Sequence, residues 1–174
     1  MDFDFTLFPN LKTERLILRE LNFKDIQAVF DLRSNKEINK LISRKTPTNL
    51  ENAKEFIEVC LSEFKKGNRV FWAMEFDKKV IGTIVYHNIL IEKNYAEIGY
   101  ELNPDFQQKG LMSEAMKVVI EFGKTKMNFK TIEAFTHKNN IPSITLLEKH
   151  NFVLIPNRKC KSVIDNRIFK LENN

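Results

Sequence analysis

Leu102-Asn103-Pro104-Asp105-Phe106-Gln107-Gln108-Lys109-Gly110-Leu111-Met112-Ser113-Glu114-Ala115 is the stretch whose reading decides the fold. An alternating segment ends at Leu102, Pro104 stops it, and an apolar pattern with helical spacing starts beyond Gly110. A strand, a short loop and a helix therefore meet here. Gly110 lets the backbone approach a ligand closely, and the first helical turn offers N–H groups with no acceptor inside the helix, at its positive end. The combination reads as a cradle for a pyrophosphate.

Upstream of this stretch the period is two: Val70 to Phe76, a turn at Asp77-Lys78-Lys79, Val80 to Ile91, then Tyr95 to Leu102. Three antiparallel strands in a meander are expected. Downstream, helix and strand alternate. A helix from about Lys109 to Lys126 precedes a strand Thr131 to Thr136, a helix Ile141 to His150, a strand from Phe152 and a last strand near Arg167 to Leu171. At the other end, Arg15 to Arg19 alternates as a strand, and Asn22 stands before an apolar helical pattern at Ile26, Val29, Phe30 and Leu32. Thr48 or Asn49 caps a second such pattern, through Ala53, Phe56, Ile57, Leu61 and Phe64, which Gly67 closes. This stretch is expected to form a lid or a substrate wall. The whole reads as an α+β fold with a mixed, mostly antiparallel sheet of about seven strands and helices on both faces. With no repeat, low-complexity tract or Gly/Ser linker, one domain over residues 1–174 is expected.

At 174 residues and 43% hydrophobic content, the chain can bury a sizeable core. The net charge of +5 comes from 28 basic residues interspersed with 23 acidic ones, so no basic block points to nucleic acid. Cys60 and Cys160 are far apart, with no CxxC and no Cys/His run at metal-ligand spacing, so reduced thiols and no structural metal are expected. The acidic start Met1-Asp2-Phe3-Asp4 is unlike a signal peptide, and no window has the length of apolar sequence that spans a membrane. A soluble, cytoplasmic protein is the expectation. The five glycines, at 67, 82, 99, 110 and 123, match neither GxxxxGK[ST] nor GxGxxG, which excludes a Walker loop and a dinucleotide fold.

The pattern Gln107-x-x-Gly110-x-Met112 after a strand resembles the (Gln/Arg)-x-x-Gly-x-(Gly/Ala) coenzyme A signature of the GCN5-related N-acetyltransferase (GNAT) superfamily. Three further segments agree in family order. Thr13-Glu14-Arg15-Leu16-Ile17-Leu18-Arg19 is similar to the first strand of the RimJ/RimL branch, Ala96-Glu97-Ile98-Gly99-Tyr100-Glu101-Leu102 to its fourth strand, and Asn140-x-x-Ser143-x-x-x-Leu147-x-Lys149-x-x-Phe152 to its last helix. Two positions depart. Met112 replaces Gly or Ala, although the RimJ/RimL branch resembles this chain in accepting Met. Asn151 replaces the usual Gly after the last helix, and Asn tolerates the left-handed conformation needed there.

The resemblance implies transfer of an acetyl group from acetyl-coenzyme A to a primary amine, by direct attack in a ternary complex. Backbone N–H groups of Gln108, Lys109, Gly110, Leu111, Met112 and Ser113 would hold the pyrophosphate, with the Lys109 ammonium adding a contact and Gln107 bracing the loop. The strand end at Glu101, Leu102 and Asn103 would pair with the pantetheine arm, and the Leu102 N–H would polarise the thioester carbonyl. Asn140 lies where the family binds that arm, and also where a helix needs a cap. Ser143 takes the position of the family's general acid; the plain alternative is a first-turn helix serine.

An amine is protonated at neutral pH, so a base is needed, and the central strand offers Glu97 and Glu101 on one face across Gly99, with Ile98, Tyr100 and Leu102 on the other. Glu97 is the favoured base and water relays are its rival. His87, His137 and His150 have no Ser, Cys or carboxylate at a spacing that suggests a triad. His150 reads as a helix C-terminal charge and His137, at the end of the strand expected to line the cofactor splay, as a loop histidine, with contact to substrate as the alternative. Trp72 and the fifteen Phe residues follow core periodicity. Three functions stay open at this point: the N-acetyltransferase, a non-catalytic acyl-coenzyme A binding module, and a basic protein binding nucleic acid, which the charge pattern does not favour. The acceptor is expected to be a protein N-terminus, ribosomal or other, or a small-molecule amine. A monomer or a homodimer is compatible with the sequence, an exposed C-terminal edge strand being a route to the dimer.

Overall fold

In a computed structural model, which describes residues 3–173, one eight-stranded sheet organises the chain. Its strands are β1 (Leu11–Lys12), β2 (Ile17–Glu20), β3 (Val70–Phe76), β4 (Lys79–Leu90), β5 (Tyr95–Leu102), β6 (Thr131–His137), β7 (Val153–Leu154) and β8 (Asn166–Glu172), in spatial order β1-β2-β3-β4-β5-β6-β8-β7. Every ladder is antiparallel except β5 with β6. The meander turns where expected: Asp77 and Lys78 both have positive φ, 47° and 61°, the pair that a two-residue hairpin of matching twist requires.

Five helices cover the two faces. On one face lie α1 (Ile26–Ser34), α2 (Lys36–Asn39) and α3 (Leu50–Lys65); the Asn49 side chain accepts from the Asn52 N–H to start α3. Their apolar stripe, with Val29, Ala53 and Ile57, packs on Leu21, Phe71 and Ala73. On the opposite face α4 (Leu111–Thr125) and α5 (Ile141–Lys149) bury Met116, Val119 and Leu147 against Trp72, Ile84 and Ile98. Packing there is close. The Tyr86 hydroxyl donates to the Val119 carbonyl at 3.0 Å, and a Cβ at Gly123 would lie 2.5 Å from the Tyr86 oxygen, so only glycine fits.

Several boundaries differ from the sequence reading. The extra strand is β1, two residues long. The first helical region starts as a 3-10 turn at Phe23–Asp25, because Asn22 and Asp25 cap each other reciprocally while Asp25 receives the Arg19 guanidinium. The four-residue α2, capped by Asn35, has too few residues to register as a period. Helix α4 starts at Leu111 and not Lys109, since Gly110 is left-handed. The strand from Phe152 shrinks to Val153–Leu154, and it is this short element that forms the C-terminal edge, β8 being enclosed between β6 and β7. Asn151 does adopt φ 63°. Cys60 and Cys160 are buried and unpaired, and among the described residues no helix is long and apolar enough to cross a membrane.

Candidate active site at the split in the sheet

The two parallel strands pair only from Tyr95↔Thr131 to Ile98↔Ala134; β5 then runs on to Leu102 and β6 to His137 without bonding to each other. The sheet splits there. On its other side β5 stays paired to β4 with Gly82 opposite Leu102, and the Asn103 N–H reaches the Ile81 carbonyl at 2.8 Å. Strand alternation then turns the N–H groups of Tyr100 and Leu102 away from β4 and into the gap. A cleft of about 740 Å³ passes through it, lined by Tyr100, Asn140 and Ser143 on the α4/α5 face and by His87 and Glu97 on the opposite face.

The loop ahead of α4 opens on the first of these faces. Gln108 and Gly110 have φ of 59° and 77°, Gly110 occupies the N-cap with no side chain to cap the helix, and the ladder begins only with the Glu114 N–H donating to the Gly110 carbonyl at 3.0 Å. The N–H groups of Leu111, Met112 and Ser113 are left without an intrahelical acceptor. Their side chains point elsewhere: Leu111 and Met112 are buried, and the Ser113 hydroxyl lies 3.0 Å from His150 Nε2. The Gln107 amide donates to the Leu102 carbonyl at 3.0 Å, tying loop to strand. Asn103 Oδ1 accepts from the Asp105 N–H at 3.0 Å, capping the 3-10 turn Pro104–Phe106. Lys109 folds back, its ammonium donating to the Asp105 carbonyl at 2.7 Å and sitting 5.3 Å from the centre of the Phe106 ring. Beneath the loop Arg15 donates to the Lys109 carbonyl at 3.0 Å and to Glu114 at 2.7 Å, and the Thr13 hydroxyl also donates to Glu114.

Asn140 Oδ1 accepts from the Ser143 N–H at 3.2 Å, so its cap role is realised. The Ser143 hydroxyl meets that of Tyr100 at 2.8 Å. Burial pushes the Tyr100 phenol up to about 12, against the pull of the Ser143 hydrogen bond. The sequence pattern places Tyr100 only as a face-mate of Ile98 and Leu102; its partnership needs α5 to dock.

The other face is richer in charge. Glu97, Gly99 and Glu101 share it, as the alternation requires, but the two carboxylates differ. Glu101 is buried in an ion pair with Arg44 and accepts from the Thr83 hydroxyl at 3.3 Å. Glu97 lines the cleft, with the Tyr95 hydroxyl 3.2 Å from Oε1 and His87 Nδ1 3.6 Å from Oε2. The same phenol lies 2.9 Å from Glu133, which is buried and held by both arms of the Arg158 guanidinium. The fold thus corrects the view of scattered histidines: the β4–β5 register sets His87 directly opposite Glu97, and His137 lies 4.0 Å from Asp165. Desolvation by burial lowers the His87 pKa, outweighing Glu97, which raises it.

These features fit acetyl-coenzyme A: an uncapped helix N-terminus for the pyrophosphate, an open strand edge for an amide-bearing arm, and a hydroxyl pair at the split. The comparisons agree. The acetyltransferase (GNAT) domain pattern matches residues 15–153, and the chain belongs to this family of acyltransferases. It is 31% identical to the uncharacterized N-acetyltransferase YoaA of Bacillus subtilis (strain 168) over 148 residues, 84% of each chain, and 34% identical to the uncharacterized N-acetyltransferase YnaD of the same organism over 140 residues, 80% of each. In shape it is similar to a RimL ribosomal L7/L12 alpha-N-protein acetyltransferase in complex with coenzyme A, with a TM-score of 0.84 at 15% identity over 94% of this chain and 98% of that one. The microcin C7 self-immunity acetyltransferase MccE, in complex with acetyl-coenzyme A and AMP, gives a TM-score of 0.79 at 19% identity over 92% of this chain and 93% of that one. The expected likeness to the RimJ/RimL branch holds at the level of fold.

Proposed function

We propose that this N-acetyltransferase moves an acetyl group from acetyl-coenzyme A to a primary amine by direct attack within the split, the amine arriving from the Glu97 face and the cofactor from the α4 face. The observation that carries this reading is the gap itself, where a strand edge with free N–H groups lies between a phosphate-type loop on one side and a carboxylate-lined opening on the other. Acetyl-coenzyme A supplies an activated thioester carbonyl.

The residues then divide the work. Backbone N–H groups from Gln108 to Ser113 bind the pyrophosphate, and Gln107 holds their loop to the strand. Lys109 adds a charge-assisted contact once its ammonium leaves the Asp105 carbonyl. The β5 edge at Glu101, Leu102 and Asn103, together with Asn140, aligns the pantetheine arm, and the Leu102 N–H donates to the thioester oxygen as charge grows on it. Ser143 offers its proton to the departing thiolate. Glu97 drives the deprotonation of the acceptor amine, itself or through the group it faces, while Glu101, neutralised by Arg44, keeps that wall of the cleft in place. The acceptor is a protein N-terminus or a small amine; the RimL neighbour, a ribosomal protein acetyltransferase, favours the first. Action in the cytoplasm as a monomer or homodimer, on one domain, completes the proposal.

Calorimetric titration with acetyl-coenzyme A, followed by thiol-release assays across peptides and small amines, tests it. Binding with turnover is the expected result. Binding without turnover on any amine would leave a non-catalytic acyl-coenzyme A module, and no binding would remove both readings.

A further inference from the structure

Resting on the acetyltransferase reading above, we propose that His87, backed by Glu97, is the group that takes the proton from the acceptor amine. The two side chains are cross-strand partners on β4 and β5, with Nδ1 3.6 Å from the Glu97 carboxylate. A proton on Nδ1 faces that carboxylate and leaves Nε2 as the acceptor nitrogen. A residue without a side chain borders the other nitrogen, Nε2. Gly99 stands next to it, and a Cβ there would lie 3.6 Å from Nε2 and 3.3 Å from a Val85 methyl group; any larger side chain would cover the ring edge. Gly99 is also the first residue of β5 beyond the last rung shared with β6. The imidazole edge is therefore exposed at the mouth of the split, and His87, Glu97 and Gly99 all line the same cleft as Tyr100 and Ser143.

The chemistry balances across the sheet. The bound ammonium gives its first proton to Nε2. The neutral amine then forms the C–N bond as the C–S bond breaks, and the thiolate departs with its electron pair and takes a proton from the opposite face. The second amine proton restores that donor through solvent. His87 then returns its proton to solvent through the open side of the cleft, its side chain being about a third exposed. Glu97 stabilises the imidazolium in between, which makes it a positioning partner and His87 the residue that touches substrate. The charged groups around His87 are Glu97 from β5 and Arg69 from the turn ahead of β3; burial and Arg69 favour the neutral ring and Glu97 opposes them. A neutral ring at physiological pH is the form that can accept a proton.

Wild type, His87→Ala, His87→Gln and Glu97→Gln are compared for transfer to spermidine, free lysine and a short peptide with an unblocked N-terminus, with acetyl-coenzyme A titration reporting the fold of each. Loss of a well-placed base lowers kcat by about 10²-fold or more in both His87 variants, with KM for acetyl-coenzyme A unchanged. Added imidazole restores part of the rate to His87→Ala but none to Glu97→Gln. The wild-type rate rises with pH along an acid limb centred below the ordinary histidine pKa; in Glu97→Gln, which lacks the raising partner, the limb moves lower and the plateau falls. His87 variants that keep the wild-type rate and pH profile would overturn the proposal, as would a lost rate that imidazole leaves untouched in His87→Ala. Should that variant misfold, the pH profile of His87→Gln decides. No turnover by the wild type on any of these amines would sink the acetyltransferase reading first, and this inference with it.

Discussion

The two sides of the split are built by different means. On the α4 side the groups that face the cleft are mostly backbone: N–H groups of a left-handed loop, of an uncapped helix turn and of an unpaired strand edge. On the opposite side they are side chains joined over long stretches of sequence, Arg44 to Glu101 across 57 residues and Arg158 to Glu133 across 25. In the proposed reaction the first construction would hold a ligand part common to every reaction of a coenzyme A enzyme. The second would shape the acceptor side, and none of the ion pairs just named reaches the loop ahead of α4.

If that contrast is right, the largest effect on stability comes from the side-chain half. Arg44→Ala leaves the buried Glu101 carboxylate with the Thr83 hydroxyl as its hydrogen-bond partner and Arg33 as the nearby cation, and breaking such a pair costs about 3–5 kcal/mol. Thermal melting of the variant reads this directly. Glu101→Gln, which keeps the shape and removes the charge, is expected to be milder and, on the proposed role of Glu101 as a strut, to keep turnover; abolished turnover with unchanged melting would make it the base instead.

The backbone half breaks at one position. Gly110 has φ 77° and proline is fixed near −65°, so Gly110→Pro misdirects the N–H groups around it. Acetyl-coenzyme A is expected to bind about a hundredfold more weakly, about 2.8 kcal/mol, visible by calorimetry. Unchanged affinity would move the pyrophosphate elsewhere. Between the halves lies the hydroxyl pair. Ser143→Ala is expected to lower kcat by about tenfold, under the ~10²–10⁴ of a well-matched acid, since a serine hydroxyl is a weak one. Tyr100→Phe should cost a similar amount and add little in the double variant, because both remove the same 2.8 Å contact.

The same contrast explains what the sequence made legible. Pro104, Gly110 and the change of period from two to 3.6 locate the loop, because backbone conformation is written locally in those residues. The alternation in Tyr95 to Leu102 likewise separates Glu97 and Glu101 from Tyr100. What no local pattern carries is the register of β4 on β5, which makes His87 the partner of Glu97, or the docking of Arg44 on Glu101. Both depend on how distant segments close, as does the Tyr100 contact with Ser143. The two-residue strands β1 and β7 were hard to read for a simpler reason: each is too short to show a period.

Glu114 is the exception within the backbone half, and it gives the smallest effect. It sits in the first turn of α4, tied by Thr13 and Arg15 a hundred residues upstream, so a side-chain strut supports the loop that the backbone shapes. Burial raises its pKa, but hydrogen bonds from the Thr13 hydroxyl and from the Arg15 backbone and guanidinium outweigh that and hold it below 4.5. A depressed folded-state pKa means that the unfolded chain binds the proton more readily. The stability Glu114 contributes is therefore complete above about pH 4.5 and is lost as pH falls through its lower folded value. Glu114→Gln should cost about 1–2 kcal/mol at neutral pH, in the range of hydrogen bonds to a charged group at a site that is partly exposed. Denaturant melts of variant and wild type should converge in acid. Because the N–H groups of the loop are untouched, acetyl-coenzyme A affinity is expected to change little. A large loss of affinity instead would mean that Arg15 and Glu114 set the loop's shape, and that the cofactor side, too, depends on contacts no local sequence pattern records.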